Sequence, residues 1–412
     1  MTSLQASYKF ALGNPVLSGM VTVGKFDGKH PSLACATVGN RVFVYSPHTV
    51  SDSSRIDVRF LNINRVIKAL SSGRVGESTN DILLVGSPTH ILAYDVEKNQ
   101  DIFFKEVSDG ITTIGVGLLE SICPTPLCFV GGNCSIQGFD QEGEEKFWTV
   151  AGDNVRALKI CDIDKDGKSE VISGTDDFEI RIVKSDGEVV AESTQTDKVL
   201  FLQHIPPNKS KDGGNRLAYA LENGTVGLYE VVGGKMKRKW RVKSKHRVCA
   251  MCIFDIHQSG SAEIIIGWSN GRIEVRQEAS GDVVFKDSFD APIAAVLTCD
   301  LRLDGREQVL VCSQDGEVRG YVAVPRQTQA TLEEAAAAEE DEAEEGSGDR
   351  KPPLGSWEMA KFANNVESGG GSLGTNVAWM YNSLAKRGRY RELEGDGDGA
   401  AAGGGDDDGF LE

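Results

Sequence analysis

Several kinds of segment are missing from this 412-residue sequence, and each absence narrows the class of protein. No run approaches the roughly 18 apolar residues that a membrane-spanning helix requires. The start, MTSLQASYKFALGNP, lacks the basic, apolar and small-residue order of a secretory signal. Neither a phosphate-binding glycine loop nor a Ser-His-Asp hydrolase arrangement can be found. We therefore expect a soluble intracellular protein without a catalytic centre.

An excess of positive charge is missing too. The net charge is −17, of which residues 326–412 contribute −11. Because the first 325 residues are also mildly acidic, general nucleic-acid binding is not expected. The nine cysteines are an odd number, and without a secretory signal they predict reduced thiols rather than disulfides.

The sequence does contain a repeat, in which a turn with Gly, Asp or Asn precedes alternating apolar residues. The first central β-branched residues of its copies are 49, 45, 44, 46, 47 and 45 positions apart: Val42, Ile91, Ile136, Ile180, Val226, Ile273 and Val318. Seven strand-rich copies of this length predict an all-β fold, a seven-bladed β-propeller over residues 1–325 with four strands per blade.

The fourth copy shows its strands most clearly, at residues 155–161, 170–173, 178–183 and 188–192. The seventh copy has only three strands, at residues 293–298, 308–312 and 317–324. Residues 7–12 precede the first copy and belong to none. We expect this segment to pair as the fourth strand of the last blade, because that pairing closes the ring and removes its exposed edges.

The character of the sequence changes at residue 326. Residues 326–371 are acidic, alanine-rich and then turn-rich, which predicts a disordered linker. Residues 372–391 place apolar residues on one helical face and predict a short amphipathic helix. Residues 392–412 are rich in Gly and Asp and predict a flexible tail.

The sharpest chemical signal is the segment DIDKDGKSE at residues 162–170. Three carboxylates on alternate residues, followed by a glycine, are typical of loops that bind Ca²⁺ through oxygen atoms. The predicted ligands of this single site are four carboxylates and one backbone carbonyl, from Asp162, Asp164, Asp166, Glu170 and Lys168 respectively. The alternative is that the carboxylates only cap turns. Weaker copies begin at Asp255 and Asp300, and in the latter Arg302 takes the place of the second acid.

Residues 235–247, KMKRKWRVKSKHR, form a strongly basic run. Trp240 and Val242 alternate as expected of the outermost strand of a blade. One interpretation is an edge strand that its lysines protect from aggregation. The other is a contact with an acidic partner or an anionic membrane surface, made by Lys237, Arg238, Lys239, Trp240, Arg241, Lys243 and Lys245.

Several blocks closely resemble one protein family. They include LLVGSPTHILAYDV (83–96), GGNCSIQGFDQEGEEKFWTVAGDNV (131–155), DIDKDGKSEVISGTDDFEIRIVK (162–184) and IIIGWSNGRIEVR (264–276). The family is that of Bardet–Biedl syndrome protein 2, whose N-terminal propeller the chain resembles over roughly residues 6–323. The segment around Asp162 also looks like the repeat of integrin α chains, which favours calcium.

This resemblance implies a non-enzymatic scaffold subunit of the BBSome, the adaptor complex for trafficking of membrane proteins to and from cilia. The implied partners are other BBSome subunits, especially Bardet–Biedl syndrome proteins 7 and 9, with peripheral membrane association through the complex. The implied locations are the cytoplasm, cilium, ciliary membrane and basal body. Two other calcium-binding propellers remain as alternatives, a quinoprotein-like enzyme with Ca²⁺ at the channel axis and an extracellular adhesion module. Both are expected to need a secretory signal.

Overall fold

The computed structural model describes residues 2–48, 58–206, 214–257 and 260–325. These residues form 28 strands in seven four-stranded sheets, so the predicted seven-bladed β-propeller is confirmed. Within the same ranges no helix is long and apolar enough to cross a membrane. The linker, helix and tail predicted at residues 326–371, 372–391 and 392–412 lie outside the described residues.

Each blade runs from an innermost strand at the channel to an outermost strand at the rim. Blade I contains β2 (Val21–Gly24), β3 (Ser32–Ala36), β4 (Val42–Tyr45) and β5 (Val58–Phe60), and blade II contains β6 (Ala69–Gly73), β7 (Ile82–Gly86), β8 (His90–Asp95) and β9 (Gln100–Glu106). Blade III contains β10 (Thr113–Gly117), β11 (Leu127–Gly131), β12 (Ser135–Phe139) and β13 (Glu145–Val150), and blade IV contains β14 (Val155–Cys161), β15 (Glu170–Thr175), β16 (Glu179–Val183) and β17 (Val189–Thr194). Blade V contains β18 (Val199–Ile205), β19 (Asn215–Leu221), β20 (Thr225–Val232) and β21 (Lys235–Lys243). Blade VI contains β22 (Val248–Phe254), β23 (Glu263–Trp268), β24 (Arg272–Arg276) and β25 (Val283–Ser288). Blade VII contains β26 (Ile293–Cys299), β27 (Gln308–Ser313), β28 (Glu317–Pro325) and, as its outermost strand, β1 (Thr2–Ala11).

Apolar side chains fill the spaces between neighbouring blades. The innermost strands contact one another around the whole ring, including β2 with β26. The second strands β7 and β11 are buried along their whole length, because a neighbouring blade covers each of their faces. This is why they have continuous apolar sequences, whereas the outermost strand β21 is largely exposed and polar.

The N-terminal strand closes the ring, as predicted. Strand β1 pairs antiparallel with β28, from Thr2 opposite Pro325 to Ala11 opposite Glu317. The strand is longer than the predicted segment 7–12 because the pairing continues through the polar start of the chain. The side chains of Leu4 and Leu12 are buried within blade VII and at its end.

One turn of blade IV has an unusual backbone. Its residue Phe178 has a φ of 71°, in the left-handed region, where the corresponding turns of blades V, VI and VII carry a glycine. In all four turns this residue donates its backbone N–H to the carbonyl three positions earlier, from Phe178, Gly224, Gly271 and Gly316. The left-handed conformation costs a residue with a Cβ about 1–2 kcal/mol.

We expect Phe178→Gly to raise the free energy of unfolding by about 0.5–1 kcal/mol, because relief of this strain exceeds the added chain entropy of glycine. The side chain is 40% exposed, so the loss of its buried part offsets some of this gain. Chemical denaturation of both proteins measures the difference. Gly224→Ala is the reverse control and should destabilise, since an added Cβ would lie 2.4 Å from the His246 carbonyl oxygen. A loss of stability in Phe178→Gly would show that the ring makes stabilising contacts.

Candidate metal centre

The predicted acidic loop connects β14 to β15 in blade IV. It brings the carboxylates of Asp162, Asp164 and Asp166 together, with one oxygen of each lying within 4.8 Å of the others. Asp162 and Asp164 are half-buried and Asp166 is exposed. Three carboxylate oxygens at this spacing could hold a metal ion, and oxygen ligands suit a hard cation.

The backbone of the loop turns around these carboxylates. Asp162 accepts hydrogen bonds from the backbone N–H groups of Lys165 (2.7 Å) and Gly167 (3.0 Å), which both have positive φ. In the same way the Asp166 N–H donates to Asp164 at 3.1 Å, and the Lys168 N–H donates to Asp166 at 2.8 Å. The turn-capping role is therefore present, and it leaves lone pairs on each carboxylate for a cation.

Glu170 begins strand β15 and lies outside the three-carboxylate cluster. Its side chain is 1% exposed and accepts a hydrogen bond of 2.9 Å from the Ile163 backbone N–H. Burial raises the pKa of Glu170 to about 7, the hydrogen bond opposes this, and the three aspartates add to it. Ligation by Glu170 and by the Lys168 carbonyl stays a prediction.

Two neighbouring blades hold the loop in place. Glu120 of blade III accepts hydrogen bonds from the backbone N–H (2.8 Å) and hydroxyl (3.2 Å) of Ser169. Asn215 of blade V donates its amide to the carbonyls of Asp162 and Ile163, both at 2.9 Å. Sequence reasoning missed both residues because they lie about one repeat away, and only the blade order makes them neighbours of the loop.

Two other loops repeat this geometry without the three acids. In blades VI and VII the glycine N–H donates to the first aspartate at 2.6 and 2.8 Å, from Gly260 to Asp255 and from Gly305 to Asp300. The place of Asp164 is taken by His257, whose Nε2 lies 3.3 Å from Glu263, and by Arg302, whose Nε lies 3.4 Å from Asp304. Each of these loops therefore carries a side chain that can be cationic where blade IV carries a carboxylate.

The acidic loop is not part of the channel. It follows the end of β14, whereas Arg156 near the start of that strand lines the channel cavity. A quinoprotein-like enzyme was expected to hold its calcium ion at the channel axis. The position of the three aspartates does not fit that arrangement.

The basic run forms β21, the outermost strand of blade V, as its alternation predicted. Trp240 is half-buried, and its indole N–H donates to the Glu278 carbonyl of blade VI at 2.7 Å. Lys239 lies 3.4 Å from the Glu230 carboxylate. The other predicted contact residues are exposed, namely Lys237, Arg238, Arg241, Lys243 and Lys245.

Comparison with known proteins finds one family along the propeller. The sequence profile of ciliary BBSome complex subunit 2, N-terminal, matches residues 22–117, and its middle-region profile matches residues 157–276. BBSome complex member BBS2 of Mus musculus is 45% identical over 326 residues, which cover 76% of this chain and 43% of that protein. BBSome complex member BBS2 of Homo sapiens is 42% identical over 344 residues, which cover 81% of this chain and 46% of that protein. The chain thus spans less than half the length of these relatives.

Solved structures agree on the fold. BBS1N in its complex with ARL6DN superposes with a TM-score of 0.62 at 14% identity, covering 78% of this chain and 97% of that one. The β-propeller domain of Cps50 (Swd1) from Myceliophteria thermophila gives 0.55 at 13% identity, with coverages of 77% and 99%. At such low identity these likenesses establish the propeller alone. The two profiles together match just over half of the chain, which therefore belongs to the family of ciliary BBSome complex subunit 2.

Proposed function

We propose that this chain is a non-enzymatic scaffold subunit of the BBSome and acts in the trafficking of membrane proteins to and from cilia. The observation that carries the proposal is the extent of the 45% identity, which runs over 326 residues, about the length of the propeller. A propeller presents two loop-lined faces and a rim on one rigid ring, which suits protein contacts.

The proposed partners are other BBSome subunits, with Bardet–Biedl syndrome proteins 7 and 9 as the direct neighbours. Membrane association is peripheral and passes through the complex. The corresponding locations are the cytoplasm, cilium, ciliary membrane and basal body.

Affinity purification of the tagged 412-residue chain from ciliated cells, followed by mass spectrometry, tests this proposal. We expect proteins 7 and 9 and further BBSome subunits to be recovered. A tagged seven-bladed propeller of another family is the matched control and should recover none of them. If the folded chain also recovers none, the propeller does not carry the assembly contacts and the proposal fails.

We further propose that the blade IV loop binds calcium. Three oxygen ligands on a short loop with a glycine turn suit its large and flexible coordination shell. The related loops support a cation requirement, because each places His257 or Arg302 beside an acid where this loop has Asp164. An external cation would supply the positive charge that those two loops carry at this position.

The exposed cations of the outermost strand of blade V and of the turn after it form a second proposed contact, the basic rim surface, defined as Lys237, Arg238, Arg241, Lys243 and Lys245. Trp240 is excluded because it is bonded to blade VI. Cations along one strand, without a pocket, suit a flat anionic membrane. Each Lys or Arg close to such a membrane contributes about 1 kcal/mol.

We expect the double change Lys237→Glu and Lys243→Glu to weaken binding to phosphatidylserine vesicles at least about tenfold, because two attractions become repulsions. Vesicle sedimentation at several salt concentrations measures the loss. Lys29→Glu with Lys286→Glu is the matched control, since both lysines are exposed elsewhere on the propeller. An equal loss in both double variants would mean that net charge, rather than this surface, determines binding. No vesicle binding by the unaltered chain would leave an acidic protein as the partner.

A further inference from the structure

A cavity of about 410 Å³ lies where the innermost strands begin, at one mouth of the channel. Residues from six blades line it. Among the described residues that do so, Lys68, Arg156 and Arg247 are cationic and none is an aspartate or glutamate. On a chain whose net charge is −17, this lining has the opposite sign to the molecule as a whole.

Backbone bulges aim side chains at this mouth. The pairing of the first two strands skips one residue near the start of the innermost strand in blades IV to VII: Arg156, Leu200, Cys249 and Ala294. A bulge bends its strand and re-aims the extra side chain, and bulges are common beside functional sites. Thr112 lies 44 residues before Arg156, and Lys68 lies another 44 residues before Thr112. Both also line the cavity. The repeat therefore delivers one side chain from each of blades II to VI to the same place.

The positive charge at the mouth is only partly compensated. Asp176 accepts two hydrogen bonds from the Arg156 guanidinium, at 2.9 and 2.8 Å, and lies 3.4 Å from Lys198 Nζ. One carboxylate thus faces two cations. Glu222 and Asp153 also interact with Arg156 and would oppose an anion on that side.

Lys68 and Arg247 carry the remaining charge. Both are exposed, and no ion pair within the described part of the chain involves either of them. They belong to blade II and to the connection before blade VI, so they reach the mouth from different sides. Two free cations and one shared cation can bind a ligand with several negative charges.

We propose that this channel mouth binds a small anion carrying two or more phosphate groups. Cations on low-dielectric walls focus their field into a cleft and raise the local concentration of anions. Lys and Arg side chains form charge-assisted hydrogen bonds to phosphate oxygens, and Ser18 and Thr113 belong to the same lining. The volume falls within the range of small-molecule sites and excludes a folded partner domain.

The same phosphate chemistry can come from a soluble molecule or from a lipid headgroup. Isothermal titration calorimetry of the full 412-residue chain with inorganic pyrophosphate, in calcium-free buffer, tests the site itself. We expect Lys68→Gln and Arg247→Gln each to weaken binding about tenfold, and the double variant about a hundredfold, since each loses one charge-assisted contact. Lys243→Gln, on the rim of blade V, is the matched control and should bind like the unaltered chain.

A second experiment identifies the source. In the Lys237→Glu and Lys243→Glu background, which removes the rim contact, vesicles with phosphatidylinositol bisphosphate should sediment the chain if a lipid headgroup enters the mouth. They should not sediment it once Lys68→Gln and Arg247→Gln are added. If only pyrophosphate binds, the ligand is a soluble phosphate compound. Failure of both probes to bind overturns the proposal, and so does pyrophosphate binding that Lys243→Gln weakens as much as the two mouth variants do. Circular dichroism establishes that each variant is folded, and these two side chains are exposed, so their substitution leaves the core intact.

Discussion

Deletion of residues 1–12 is expected to destabilise the whole propeller rather than a single blade. The deletion removes β1 and leaves one edge of β28 unpaired, while the other edge still pairs with β27. It also removes the buried hydrogen bond of 2.9 Å from the Tyr8 hydroxyl to Gln308. Because blade VII packs on both blade VI and blade I, an open ring loses support on two sides. Denaturant unfolding followed by fluorescence should show a single transition at a much lower midpoint.

A point variant separates this effect from the shortening of the chain. Leu4 is 1% exposed and packs in the cluster between blades VI and VII. We expect Leu4→Ala to lower the free energy of unfolding by about 2–5 kcal/mol, the usual cost of a large cavity in a core. Lys9→Ala on the exposed face of the same strand should change it by less than about 0.5 kcal/mol. Unchanged unfolding after the deletion would show that the ring holds without its closing strand.

Calcium is expected to stabilise the chain, and Asp164→Ala to abolish most of that gain. At a calcium concentration of a hundred times the dissociation constant, binding to the folded state alone contributes about 2.7 kcal/mol. Without calcium the same substitution should be neutral or stabilising, because it removes one of three like charges within 4.8 Å. Thermal unfolding in calcium and in EDTA measures both values.

The chain supplies its own control for this experiment. Asp304 lies in the related loop of blade VII, where Arg302 is its partner at 3.4 Å. Asp304→Ala should change the unfolding temperature by the same amount in calcium and in EDTA. If Asp164→Ala behaves like this control, the acidic loop is a structural turn and binds no calcium that matters for stability.

Much of the fold follows from local signals in the sequence. Turn glycines and alternating apolar residues recur at nearly constant spacing, and a propeller blade is largely determined within its own repeat. The closing strand could be predicted because the seventh copy lacks one strand, while the segment before the first copy belongs to no repeat. The Asp162 loop could be predicted for the same reason, since its carboxylates meet within five residues.

Features that depend on neighbouring blades could not be predicted in this way. Glu120 and Asn215 support the acidic loop from two different blades. One of the two interpretations of the basic run includes Trp240 in a partner contact. In the structure its indole is bonded to blade VI, because the turn after β24 reaches the rim of blade V there. Side-chain contacts across a blade boundary require the actual twist and register, which periodicity does not contain.

The channel mouth illustrates an intermediate case. The exact 44-residue spacing of Lys68, Thr112 and Arg156 is visible in the sequence, but only the arrangement of the blades brings the three residues to one cavity. Arg247 breaks this spacing because it precedes the bulged residue of its own blade by two positions. A search for cations at equivalent positions of the repeat would have found Lys68 and Arg156 and missed Arg247.

The pairing of the first strand with the last also has a consequence during biosynthesis. Tyr8 and its partner Gln308 are 300 positions apart, so the first strand leaves the ribosome long before its place exists. At about 5–20 residues per second, synthesis of the intervening chain takes roughly 15–60 seconds. During this time Leu4, Tyr8 and Leu12 have no native neighbours in blade VII, which makes the nascent chain a client for chaperones that bind short apolar segments. The last blade therefore sets the earliest moment at which the native ring can form.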